Sequence, residues 1–108
     1  MKRKLLKKDR VSDNDRFSIV TKDMNRCFVC GKIGGLHKHE IFFGSGKREL
    51  SKYYGLVVPL CWVCHEHQKD GVHHNRQLDL HLKYLGQMAF EAEYPDLDFL
   101  IIFGRNYI

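Results

Sequence analysis

No apolar run in these 108 residues approaches the length of a membrane span, and no internal repeat or low-complexity tract breaks them up. The opening Met1-Lys-Arg-Lys-Leu-Leu-Lys-Lys is too charged and too poor in apolar residues for a secretory leader. Together these absences lead to the expectation of a soluble intracellular chain whose thiols stay reduced. The length allows one domain with a modest core. No separate recognition helix or reading domain is visible, so any nucleic-acid contact is expected to be weakly sequence-specific.

What is present is concentrated chemistry. The chain has four cysteines, spent as two Cys-x-x-Cys pairs, Cys27/Cys30 and Cys61/Cys64. Each pair has the bite to chelate a tetrahedral ion as thiolates, and zinc is the default occupant. Disulfides would need an oxidising compartment, and a thioredoxin-like site would need one pair in a βαβ context. Zinc is therefore expected to reinforce folding. Between the pairs lie His37-Lys38-His39-Glu40, and His65, His73 and His74 follow the second pair. The bland alternative for His65, His67, His73 and His74 is a surface cluster or a second zinc set, with His65 able to replace a cysteine.

Eighteen Lys plus Arg against thirteen Asp plus Glu give a net charge of +5. Much of the excess sits in Lys2, Arg3, Lys4, Lys7, Lys8 and Arg10, so residues 1–22 are expected as a basic, flexible arm, with the domain spanning 23–108. Such an arm serves either solubility or salt-dependent phosphate contact; the site that follows favours the second.

Period-two alternation predicts a strand over Leu36 to Phe43, with His37, His39 and Ile41 on one face. Gly31 suits a zinc knuckle, and Gly34-Gly35 a turn. Lys47 to Tyr54 is expected as a loop or one helical turn, and Leu56-Val57-Val58 as a second strand. A short helix should start near Cys61, carry His65 and end before His73. Asn75 is the expected cap of a longer helix with its apolar stripe at Leu78, Leu82, Leu85, Ala89 and Ala92. Pro95 is expected to open a last helix closed by Gly104. Lys47, Arg48 and Lys52 are candidate phosphate clamps, Arg48 first for its bidentate geometry. Trp62, Tyr53 and Tyr54 are read as packing in preference to base stacking.

Cys27-x-x-Cys30, Leu36-His-Lys-His-Glu-Ile-Phe42, Pro59-Leu-Cys-Trp-Val-Cys-His65 and Gly71-Val-His-His74 resemble the zinc-stapled branch of the HNH endonuclease family. Within it they are most similar to small phage Ref-like recombination-enhancement nucleases, as is the tail Phe103-Gly-Arg-Asn-Tyr107. The resemblance implies a small α+β fold, a ββα-metal (His-Me finger) unit stapled by zinc and followed by C-terminal helices. It implies a metal-dependent DNA endonuclease or nickase, a phage protein acting in the bacterial cytoplasm. His39, His65 and His73 would hold a catalytic Mg²⁺ or Mn²⁺, and Cys27, Cys30, Cys61 and Cys64 a structural Zn²⁺. Glu40 stands where most members keep a histidine base, which leaves Glu40, His39 and His37 as candidates for that role. The family's mid-motif asparagine has no counterpart in apolar Gly55-Leu56-Val57, leaving Ser51 or the backbone to replace it. The alternatives are a non-catalytic zinc-finger nucleic-acid binder and a structure-selective junction nuclease.

Overall fold

The computed structural model describes residues 9–108; Lys2, Arg3 and Lys4 lie outside the described residues. Strands β1 (His37–Glu40) and β2 (Val57–Leu60) pair antiparallel, with His37 opposite Leu60 and Glu40 opposite Val57. Beyond the strand, Ile41 still donates its amide to the Leu56 carbonyl at 2.9 Å. Pairing ends there because Phe42 turns inward. The Ser51 hydroxyl accepts from the Phe42 amide at 3.0 Å and donates to the Phe42 carbonyl at 2.7 Å. Both strand-type backbone groups of Phe42 are thus satisfied by one buried side chain.

Ser51 can do this because Lys47–Tyr54 is an eight-residue helix, α1, where a loop or single turn was expected. Leu50, Ser51 and Tyr54 share its buried face. Left-handed Gly46 and Gly55 bracket it as its two caps. Helix α2 (Trp62–Glu66) follows β2 directly, so β1, β2 and α2 form a ββα-like unit.

Helix α3 (Arg76–Glu93) is capped by Asn75, whose side chain accepts from the Leu78 amide at 3.1 Å. Its buried stripe is Asp79, Leu82, Gly86, Gln87 and Phe90, rotated from the expected one; Ala92 is exposed. Gly86 explains the rotation. A Cβ there would stand 3.1 Å from Phe42 Cε2 and 3.3 Å from Ile41 Cγ2, so the helix approaches β1's continuation through its glycine. Helix α4 (Phe99–Phe103) is capped by Asp98, which accepts from the Ile101 amide, and closed by left-handed Gly104. Asp98 therefore takes the opening position expected for Pro95.

The core is aromatic. The Phe42 ring meets Phe99, Phe103 and Tyr107 at centroid distances of 5.2, 4.8 and 5.4 Å, and Tyr54 packs on Phe90 and Tyr94. Gln87 holds the tail, accepting from the Tyr107 amide at 2.7 Å and donating to Asn106 Oδ1 at 2.7 Å. Tyr54, weighed earlier as a base-stacking residue, belongs to this core.

The segment up to residue 22, expected as an arm, makes specific contacts from Asp13 onward. Asp13 pairs with Lys52 at 2.9 Å, Arg16 pairs with Glu40, and Ile19 donates its amide to the Gly55 carbonyl at 2.8 Å. Long-range ion pairs leave no periodic signature, so polar Ser12-Asp-Asn-Asp read as unstructured. No helix among the described residues is long and apolar enough to cross a membrane.

Ser51→Ala is expected to leave the Phe42 amide and carbonyl unsatisfied in a dry environment and to destabilise the fold by about 2 kcal/mol. A urea titration monitored by circular dichroism would read this as a lower midpoint at unchanged slope.

Candidate metal centres

The first centre is built by two turns that meet. In the first, Gly31 adopts φ +81° and donates its amide to the Cys27 carbonyl, while Cys27 donates to the Lys32 carbonyl. In the second, Cys61 caps α2 and Cys64 lies one turn along it. The Phe28 amide donates to the Pro59 carbonyl at 2.8 Å and joins the two turns. All four sulfurs lie within 4.8 Å of one another, and Cys30 Sγ is 3.6 Å from Cys61 Sγ. A tetrahedral zinc with bonds near 2.3 Å sets its sulfurs about 3.8 Å apart, so the cluster is consistent with a structural Zn²⁺. All four cysteines are free of disulfides.

Electrostatics agree with a cation there. Burial opposes ionisation of Cys27, yet amides of Cys30, Cys61 and Val29 pointing at its sulfur outweigh it and bring the thiol down to about 6. Cys64 is pushed up, by burial first and then by the neighbouring sulfurs. One thiolate is welcome and further ones repel it, a conflict that a divalent cation removes.

The second centre joins three elements. His39 comes from β1, His65 from α2 and His73 from the turn after it, and a ligating nitrogen of each lies within 4.8 Å of the others. His65 Nε2 and His73 Nε2 are 3.0 Å apart, the spacing of two imidazoles bound side by side to one ion at about 2.1 Å. His39 is 2% exposed, and its Nε2 is buried without a hydrogen-bond partner among the described residues. A buried, unpartnered ring nitrogen beside two others fits a metal ligand. His65 falls in this set, and the four cysteines cluster without it.

Burial, then the charges of His65 and His73, brings His39 down to about 3; burial and His73 bring His65 down to about 4. Both rings are therefore neutral at neutral pH, with lone pairs that protons do not contest. The Phe43 ring packs on His39 and His73 and carries Lys83 Nζ 4.3 Å above it, and Lys83 is paired to Asp79 at 2.8 Å.

The trio opens on a cavity of about 500 Å³ that His37, Lys38, Glu40, Arg48 and Glu66 also line. His37 is exposed, its Nδ1 3.0 Å from His65 Nδ1. Glu40 reaches the same cavity with its carboxylate bound by Arg16, which also donates to the Lys38 carbonyl at 2.8 Å. Of the three expected phosphate clamps, Arg48 lines the cavity. Lys52 does not: it is 7% exposed and its ammonium is shared between Asp13 and Glu49 at 2.9 and 3.2 Å. An amine buried between two carboxylates is a structural ion pair, which corrects its reading as a clamp. His67, left without a role by the sequence, accepts at Nδ1 from the amides of Lys69 and Asp70 and closes the turn after α2.

Arg16 and Glu66 are among the cavity residues that went unsuspected. Arg16 comes from the supposed arm and had no signal. Glu66 lies with Oε1 3.4 Å from His65 Nδ1 and 3.8 Å from His73 Nε2; its place directly after a candidate ligand was the available hint. Comparison with known protein families, characterised proteins and solved structures finds no match to this chain.

Removing the thiol-bound metal with a strong chelator is expected to unfold the protein, seen as loss of near-ultraviolet dichroism together with release of a single zinc per chain. A second expectation concerns pH in protein with zinc but no added divalent ion. His39 and His65 bind fewer protons folded than unfolded between their lowered values, about 3 and about 4, and the ordinary 6.5. Stability should therefore fall as pH drops below 6.5. The urea midpoint measured between pH 6.5 and 4 should show this, with a shallower slope in His39→Phe.

Proposed function

We propose that the protein is a metal-dependent DNA endonuclease or nickase of the HNH type. The observation that carries the reading is the meeting of His39, His65 and His73 at the wall of a solvent-open cavity lined by Lys38 and Arg48. Three imidazoles hold a divalent cation well, and cationic side chains beside it hold a phosphodiester. When bound, the ion would offset the charge that builds on the phosphate oxygens.

The chain's own groups supply the rest. Arg48 and Lys38 grip the backbone phosphates flanking the scissile bond. For the base, Glu40 is set aside because its carboxylate is tied to Arg16. His39 is buried and would be one of the residues that hold the ion. His37 remains, exposed and within the cavity. Were His65 to hold the ion through Nε2, its proton would sit on Nδ1 and be donated to His37 Nδ1, leaving His37 an acceptor at the cavity wall. His37 swings off His65 to take a proton from water as the water oxygen adds to phosphorus, the bond to the leaving oxygen breaks, and solvent protonates that oxygen. Glu66 beside His65 favours the positive charge that forms. The all-nitrogen donor set suits Mn²⁺ or a softer ion better than Mg²⁺.

The test is nicking of supercoiled plasmid. Wild type should cut faster with Mn²⁺ than with Mg²⁺ and stop in EDTA. His39→Ala should lose cleavage and the second metal while keeping zinc. His37→Ala should keep both metals and lose about a hundred-fold or more in rate. A wild type that binds plasmid but never cuts under any of these ions would overturn the enzymatic reading in favour of a zinc-stapled binding module.

A further inference from the structure

An aromatic residue next to a zinc cysteine is ordinarily a packing residue, and Trp62 is not. It stands between buried Cys61 and Cys64 yet is 55% exposed, and Val63 beside it is exposed as well. The two cysteines fix α2 by their sulfurs, so the positions between them are turned outward whatever their polarity. The largest apolar side chain in the protein gains little burial there, which leaves its retention unexplained by packing.

The ring is nonetheless held. It meets the edge of His67 at a centroid distance of 5.7 Å and an interplanar angle of 85°. His67 is itself fixed by the amides of Lys69 and Asp70 at 3.3 and 3.2 Å. An indole presented in one orientation with a face open to solvent is a preorganised stacking surface.

Its place on α2 connects it to the cavity. Trp62 is the i−3 and i−4 neighbour of His65 and Glu66, both of which line the cavity. Exposed Lys69 follows on the His67 turn, and Lys38 and Arg48 line the cavity that His65 and Glu66 share, so cationic side chains occur on the same stretch of surface chemistry as the indole's own helix. An exposed indole suits an unstacked base, and the cations of the cavity suit phosphates of the same strand. A fully paired duplex covers the faces of its bases.

We propose that Trp62 is a stacking platform for an unpaired nucleobase, and that the protein engages single-stranded nucleic acid, or a locally unpaired stretch, beside its histidine centre. The inference rests on the nucleic-acid reading above but not on cleavage. A second copy of the chain or a protein partner at this face is an outcome of the test.

Trp62 is the protein's single tryptophan, so it reports on itself. Zinc-loaded full chain, with no other divalent ion added, is titrated with an oligothymidylate and with a blunt duplex of equal length. Tryptophan emission and the anisotropy of a label on the DNA are followed together. Single strand should quench the emission and duplex should not. Trp62→Ala with zinc retained should lose about five- to a hundred-fold in affinity for the single strand, Trp62→Phe less, and neither much for duplex. Bound single strand without quenching, equal quenching by duplex, no binding of single strand at all, or concentration-dependent self-association that buries the indole would each overturn the proposal. Quenching by a protein that never nicks plasmid would leave this inference standing and remove the nuclease. Nicking without quenching would do the reverse.

Discussion

The four sulfurs are the constraint on which the site depends. They tie together two turns separated by β1, α1 and β2, closing that stretch into a loop whose ends are fixed within a few ångströms. Cys61 caps α2 and Cys64 lies within it, so whatever anchors the thiols also sets the rotation of that helix. His65 follows Cys64 immediately and inherits its position. The Val72 amide donates to the Cys64 carbonyl and the His73 amide to the His65 carbonyl, so the third imidazole is placed from the same anchor. Only His39 arrives independently, through the register of β1 on β2. A small domain with a modest core can thus hold three histidines in register because thiol chemistry does part of what packing does in larger proteins.

Signals that are local in sequence were legible. The cysteine spacing identified the first centre, and alternation placed His37 and His39 on one strand. The resemblance grouped His39, His65 and His73, which converge. The caps Asn75 and Gly104 were readable from the residue types that satisfy helix ends.

Signals that depend on distant partners were not legible. Lys52 reads as one more surface cation until Asp13 and Glu49 are seen around it. Glu40 reads as a free carboxylate until Arg16 arrives from 24 residues away in sequence. The stripe of α3 was misjudged because apolar side chains were counted and the true contact is a glycine, whose value is the side chain it lacks. Trp62 departs from the usual reading of an aromatic beside a knuckle, because the buried cysteines on either side of it face the sulfur cluster and turn the position between them outward. In each case the competing principle was tertiary, and no window of sequence contains it.

The aromatic cluster around Phe42 has a bearing on the order of events during synthesis. Every cysteine ligand, and all three clustered histidines, precede residue 74, whereas Phe99, Phe103 and Tyr107 come from the last stretch to be made. A zinc ion at the cysteine cluster would therefore find all of its ligands on a nascent chain whose aromatic core is still open, and would give the hydrophobic half an edge on which to condense.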